Sequence, residues 1–99
     1  MVNKYENTKL YWDKIFSDIN ITSPKIPLKN LVIEKSVKWI SEDSNKLLDF
    51  GCGSGRILLR SLFYGVEQVN GIDISEEAIN CANKNVEKHG LSKKATFAT

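Results

Sequence analysis

No run of about 18 apolar residues occurs in this 99-residue chain, so no membrane span is expected. An excess of either charge is missing too. Fourteen basic side chains against 12 acidic ones leave a net +2, too little to argue for attraction to nucleic acid or to a membrane surface. Cysteine is scarce: Cys52 and Cys81 lie far apart and form no metal-ligand spacing, and a reduced, cytoplasmic setting is their simplest reading. The opening Met1-Val2-Asn3-Lys4-Tyr5-Glu6 lacks the apolar core of a secretion signal. There is no internal repeat and no low-complexity segment. What remains, 41% apolar and 26% charged, is ordinary material for one small folded domain spanning residues 1–99.

The chain is organised around Leu47-Leu48-Asp49-Phe50-Gly51-Cys52-Gly53-Ser54-Gly55-Arg56. Residues 46–50 are a brief apolar run, the pattern of a parallel strand covered on both faces. Glycines follow at alternate positions, 51, 53 and 55, where the absence of a Cβ permits positive φ and close approach of a ligand to the backbone. From Ile57 the chain turns helical, with Leu58/Leu62 and Leu59/Phe63 as i, i+4 pairs. The loop's free N–H groups thus open a helix, where anionic or polar ligand groups bind well. A second strand ends in Gly71-Ile72-Asp73-Ile74, and Asp73 falls near the offset of about 20 residues at which nucleotide-binding α/β folds place a ribose-binding acid.

These two segments together resemble the class I S-adenosylmethionine-dependent methyltransferases, whose first motif is an acid, any residue, then Gly-x-Gly-x-Gly, here Asp49 to Gly55, and whose second is an acid closing the next strand, here Asp73. The resemblance implies an α/β fold: a partial Rossmann-like three-layer sandwich of about three parallel strands flanked by helices. It also implies S-adenosylmethionine as cofactor, with Gly51 and Gly53 touching its methionine part, Asp49 near its amino group, Asp73 on the ribose hydroxyls and Ile74 against the adenine. Each residue has a plainer alternative. The glycines could serve only a tight turn, Asp49 could cap loop N–H groups, Asp73 could cap the next helix, and Ile74 could be ordinary core. A nicotinamide-dinucleotide reading is disfavoured, because its third glycine belongs at position 56, where Arg56 stands. Cys52 occupies a slot that is commonly small in the family, which argues against a nucleophile.

Along the chain, residues 8–19 suit an amphipathic helix with Trp12, Ile15, Phe16 and Ile19 on one face, and the resemblance implies an N-terminal helical cap region at 1–29 on a cofactor-binding core at 30–99. Ser23-Pro24 and Ile26-Pro27 mark a connector. A helix over residues 28–41, with Val32, Ile33, Val37, Trp39 and Ile40 on or beside its apolar face, is expected to pack on the sheet. Gly65 is placed to end the helix after the loop. Residues 66–72 supply the second strand, with Val69 and Ile72 facing the core. Ser75 is an N-cap for a helix buried through Ala78, Ile79, Ala82 and Val86, which His89-Gly90 closes. The alternation of strands and helices implies right-handed crossovers.

The third strand begins near Ala95, so the chain resembles the first half of the family's usual sheet. Whether it is a shortened version, a fragmentary gene product or a natural half-domain stays open. The segments that choose the methyl acceptor follow the fourth strand in the family, so no catalytic residue is assigned and the acceptor is unknown. A non-catalytic half-domain that binds the cofactor or associates with itself is the alternative. The first strand's outer edge is expected to be open, which invites pairing with a second copy unless the N-terminal helices cover it.

Overall fold

The computed structural model describes residues 8–10 and 23–99. The expected face of Trp12, Ile15, Phe16 and Ile19 lies outside the described residues. Over residues 23–99 six main elements follow in order: α1 (Leu31–Glu42), β1 (Lys46–Phe50), α2 (Arg56–Phe63), β2 (Gln68–Ile72), α3 (Glu76–Lys88) and β3 (Ala95–Ala98), the last entered through a 3₁₀ turn at Ser92–Lys94. The strands form one parallel sheet in the order β1-β2-β3. Asp49 pairs with Gly71 and Phe50 with Ile72, so the tips of β1 and β2 end side by side.

Local chemistry sets the boundaries. The Asn30 side chain accepts the Val32 and Ile33 N–H groups, which starts α1 three residues later than the apolar pattern implies. The Ser75 hydroxyl accepts the Ala78 N–H at the start of α3, with Glu76 and Glu77 in the first turn. Gly65 closes α2 and Gly90 follows α3, both at positive φ.

Val69, fully buried on the central strand, is packed with Cys52, Leu58, Leu62, Val66 and Ile79. Leu47, Leu91, Ala95 and Phe97 close the edges of this core. Ala78, Ala82 and Val86 are buried as their spacing implies. Ile72 is only half-buried, and Val66, just before β2, takes the larger share of the burial.

Two expectations are corrected. β1 is covered on one face only: Leu48 is 54% exposed and Phe50 76%, because side chains alternate between the two faces of a strand and, among the described residues, only the Leu47 and Asp49 face is covered. The outer edge of β1 is a separate matter: β1 has β2 as its one strand neighbour among the described residues. The other correction is α1. Val37 is its one buried apolar residue, sharing the inward stripe with Glu34 and Ser41 at i, i+3 and i+7, while Trp39 stays 70% exposed. That stripe faces α2 around a buried ion pair, and the apolar stripe read from the sequence is rotated away from it. Among the described residues, no helix is long and apolar enough to cross a membrane.

Candidate functional site

The glycine loop is built by three left-handed residues, Gly51, Gly53 and Gly55, with φ of 76°, 57° and 81°. A side chain at these angles is strained, which is why the motif needs glycine at alternate places. Gly51 and Cys52 both donate their N–H to the Ile72 carbonyl, at 2.7 and 3.1 Å, fastening the loop to the tip of β2. Gly55 caps α2 without any side-chain hydrogen bond. A Cβ there would meet the Phe97 ring at 3.3 Å and Ala82 at 3.4 Å, so this glycine lets α2 close onto β3 and α3 rather than onto the strand before it.

Asp73 is buried and does more than the sequence discloses. Its Oδ2 accepts the Gly53 N–H and its Oδ1 accepts the Ser75 N–H, both at 2.9 Å. One carboxylate therefore shapes the loop and the entry to α3 at once. Each oxygen keeps a further lone pair for a ligand donor. Ile74, next to it, is 59% exposed, so the ordinary-core alternative for this residue does not hold.

Asp49 is half-buried, and among the described residues its carboxylate has no hydrogen-bond or ion-pair partner. Burial first, then the nearby charge of Asp73, raises its pKa above the usual 3.8. The folded chain thus holds the Asp49 proton more tightly than the unfolded one. The cost of ionising it is absent below pH 3.8, grows through the window up to the raised value, and persists above. Asp49→Asn is expected to stabilise the ligand-free chain at pH 7, with the advantage vanishing towards pH 3.5. Urea unfolding of both proteins at the two pH values checks this.

Cys52 is a buried residue of the loop itself. Burial, then the Asp73 and Asp49 charges, push its thiol up to about 12, which removes it as a nucleophile at neutral pH. Burial also raises the Cys81 pKa, against the opposing pull of Lys84.

Two contributors escape the sequence reading. Asn85 is fully buried on α3 and its Nδ2 donates to the Ser54 carbonyl at 3.0 Å, holding the far side of the loop. Its position, one residue from Val86 on the buried stripe of α3, was the available signal. The second contributor is a buried cluster. Arg60 Nε donates to Glu34 Oε1 at 2.6 Å, Arg60 also donates to the Pro24 carbonyl and to the Tyr64 hydroxyl, and that hydroxyl donates to Glu34. Glu34 Oε2 accepts the Leu28 N–H. Together these bonds pin residues 24–28 against α1 and α2. The pinned segment walls one side of a cleft of about 440 Å³, whose lining includes Ile26, Leu28, Lys29, Gly53, Arg56 and Ile57.

A family model described as a methyltransferase domain matches residues 41–99. The chain belongs to this methyltransferase-domain family. Among curated relatives, the methyltransferase domain is 35% identical over 64 residues to the ribosomal protein L11 methyltransferase of Shewanella woodyi, an alignment covering 62% of this chain and 22% of that protein. Among solved structures, an RNA methyltransferase from Salinibacter ruber in complex with S-adenosyl-L-homocysteine matches with a TM-score of 0.60 at 24% identity, over 73% of this chain and 48% of that one. A SAM-dependent methyltransferase from Geobacter sulfurreducens, also in complex with S-adenosyl-L-homocysteine, matches with a TM-score of 0.56 at 23% identity, over 82% of this chain and 32% of that one. These likenesses establish the partial Rossmann-like α/β fold. The methyltransferase domain spans about a fifth of the curated relative and under half of either solved chain.

Proposed function

We propose that this domain binds S-adenosylmethionine at the glycine loop and takes part in transferring its methyl group to an acceptor. The observation that carries the reading is the pair of neighbouring parallel strand tips. They bring Asp49, the Gly51–Gly53 turn and Asp73 to one end of the sheet and leave the Asp49 carboxylate without a partner among the described residues. A half-buried carboxylate beside a second one suits a cationic ligand, which relieves both the desolvation and the repulsion. The donor set fits the cofactor: Asp49 for its amino group, the loop backbone at Gly51 and Gly53 for its methionine part, the remaining lone pairs of Asp73 for the ribose hydroxyls, and exposed Ile74 for the adenine face. When bound, the cofactor supplies an electrophilic methyl on a sulfonium. The protein's part is to hold the reacting atoms in line and keep water away from them.

In this reading residues 1–29 cap a core formed by residues 30–99, and the protein works in the cytoplasm. The alternative, a domain that binds the cofactor without turning it over or that pairs with a second copy through the outer edge of β1, rests on β1 having β2 as its one strand neighbour among the described residues.

Titration calorimetry with S-adenosylmethionine and S-adenosyl-L-homocysteine tests the proposal. Both are expected to bind. Asp73→Ala should weaken each by roughly tenfold or more per ribose hydrogen bond lost, since charge-assisted bonds of this kind are worth ~1.5–3 kcal/mol. Binding without methyl transfer supports the alternative, whereas failure of the wild-type chain to bind, or preference for NAD, overturns the assignment.

A further inference from the structure

The charges around the glycine loop are sorted. Asp49 and Asp73 stand at the strand tips, and neither lines the cleft on the loop's other flank. Among the described residues that cleft carries two cations, Lys29 and Arg56, and no acid. Both are exposed, and neither has an ion-pair partner among the described residues. Its apolar lining comes from Ile26, Pro27, Leu28, Ile33 and Ile57, of which Ile26, Ile33 and Ile57 remain partly open to solvent. The start of α2 opens into the same space, with no side-chain cap among the described residues. At about 440 Å³ the cleft is of the size that takes a small molecule.

We propose that this cleft binds the methyl acceptor, and that the acceptor is a small molecule with an apolar body and an anionic group, carboxylate or phosphate, held by Lys29 and Arg56. The inference rests on the cofactor reading for the word acceptor but not for the ligand's chemistry. The methionine end of the cofactor leaves the cleft unfilled: its ammonium belongs at Asp49, outside the lining, and its short polar chain would leave the isoleucine and leucine walls unused. An amine-bearing acceptor is opposed by the two cations. An anion with a hydrocarbon body satisfies both halves of the lining. Gly53 is shared between the cleft and the Asp73 side, which places such a ligand next to the loop on which the cofactor would rest.

The test is binding of octanoate, octyl phosphate, octanol and octylamine to the whole chain, followed by calorimetry and by amide shifts of Gly53 and Ile57. Octanoate and octyl phosphate are expected to bind at least ~tenfold more tightly than octanol, with octylamine weakest, and the Gly53 and Ile57 amides to shift. Lys29→Gln and Arg56→Gln, both at exposed positions that leave the core intact, should each cut anion binding ~tenfold and leave octanol binding unchanged. Equal binding of all four ligands, or no loss in the two variants, overturns the proposal. So does a ~tenfold loss of S-adenosyl-L-homocysteine binding in both variants together with its displacement of octanoate, since the cations would then hold the cofactor's own carboxylate. Anion binding that persists when S-adenosyl-L-homocysteine fails to bind supports the cleft and sinks the cofactor reading alone.

Discussion

Arg60→Ala is expected to lower folding stability by ~3–5 kcal/mol, measured as the shift in urea unfolding at pH 7. Arg60 is 5% exposed and Glu34 8%, so removing the guanidinium strands a buried carboxylate whose desolvation is no longer repaid. The Pro24 carbonyl loses its donor at the same stroke, and the cation–π contacts of Arg60 over the Phe63 and Tyr64 rings, at 4.4 and 4.8 Å, go with it. The double variant Glu34→Leu/Arg60→Met should recover much of the loss, because it leaves no lone charge inside. Equal instability of the single and double variants would mean that packing, rather than the stranded charge, accounts for the cost. The same cluster carries a pH signature. Burial pushes the Glu34 carboxyl up, but the bonds from Tyr64, the Leu28 N–H and Arg60 outweigh it and leave its pKa below the usual 4.5. Its contribution is therefore full above pH 4.5 and lost as pH falls through the lowered value. Acid destabilisation in that range should shrink in Glu34→Gln.

The second large effect is expected at Gly71, at the centre of the sheet. A Cβ on this residue would lie 2.6 Å from the Phe97 ring, 2.7 Å from Cys52 Sγ and 2.9 Å from Cys52 Cβ. Neither neighbour has room to retreat. Phe97 is packed against the core from β3, and Cys52 is held by its N–H bond to the Ile72 carbonyl. Gly71→Ala should cost ~2–3 kcal/mol by overpacking, seen as an earlier thermal and urea transition. Because the displaced residue belongs to the loop, affinity for S-adenosyl-L-homocysteine should fall further than in Trp39→Pro, which breaks α1 at an exposed position and costs a comparable ~3 kcal/mol. Equal affinities in two such variants would separate Gly71 from the site.

The contrast between Gly71 and Gly53 says what a sequence discloses. The alternating glycines at 51, 53 and 55 announce a strand turning into a helix, because few other residues accept those angles, and Asp73 announces itself by its offset from them. The capping roles of Ser75, Gly65 and Gly90 were legible for the same reason: each is a local demand met by a local residue. What stayed hidden is what distant residues do to one another. Gly71 reads as a mere strand residue until Phe97 is placed beside it, 26 positions along the chain. Asn85 reads as a polar helix residue until the Ser54 carbonyl arrives 31 positions away. Glu34 and Arg60 look like surface charges because their pairing spans 26 residues, and that pairing turned the buried stripe of α1 away from the one its apolar residues outline. The one-sided covering of β1 depends on which face of the sheet distant segments pack against, which no local pattern encodes.

The two oxygens of Asp73 have an implication for motion. One holds Gly53 and the other holds the Ser75 N–H, while the neighbouring Ser75 hydroxyl holds Ala78. Opening the turn thus unlatches the first coil of α3, so the two segments breathe as one cooperative unit instead of fluctuating separately. Any molecule that quiets the turn also quiets a helix it does not touch, and that end of the sheet stiffens or loosens as a whole.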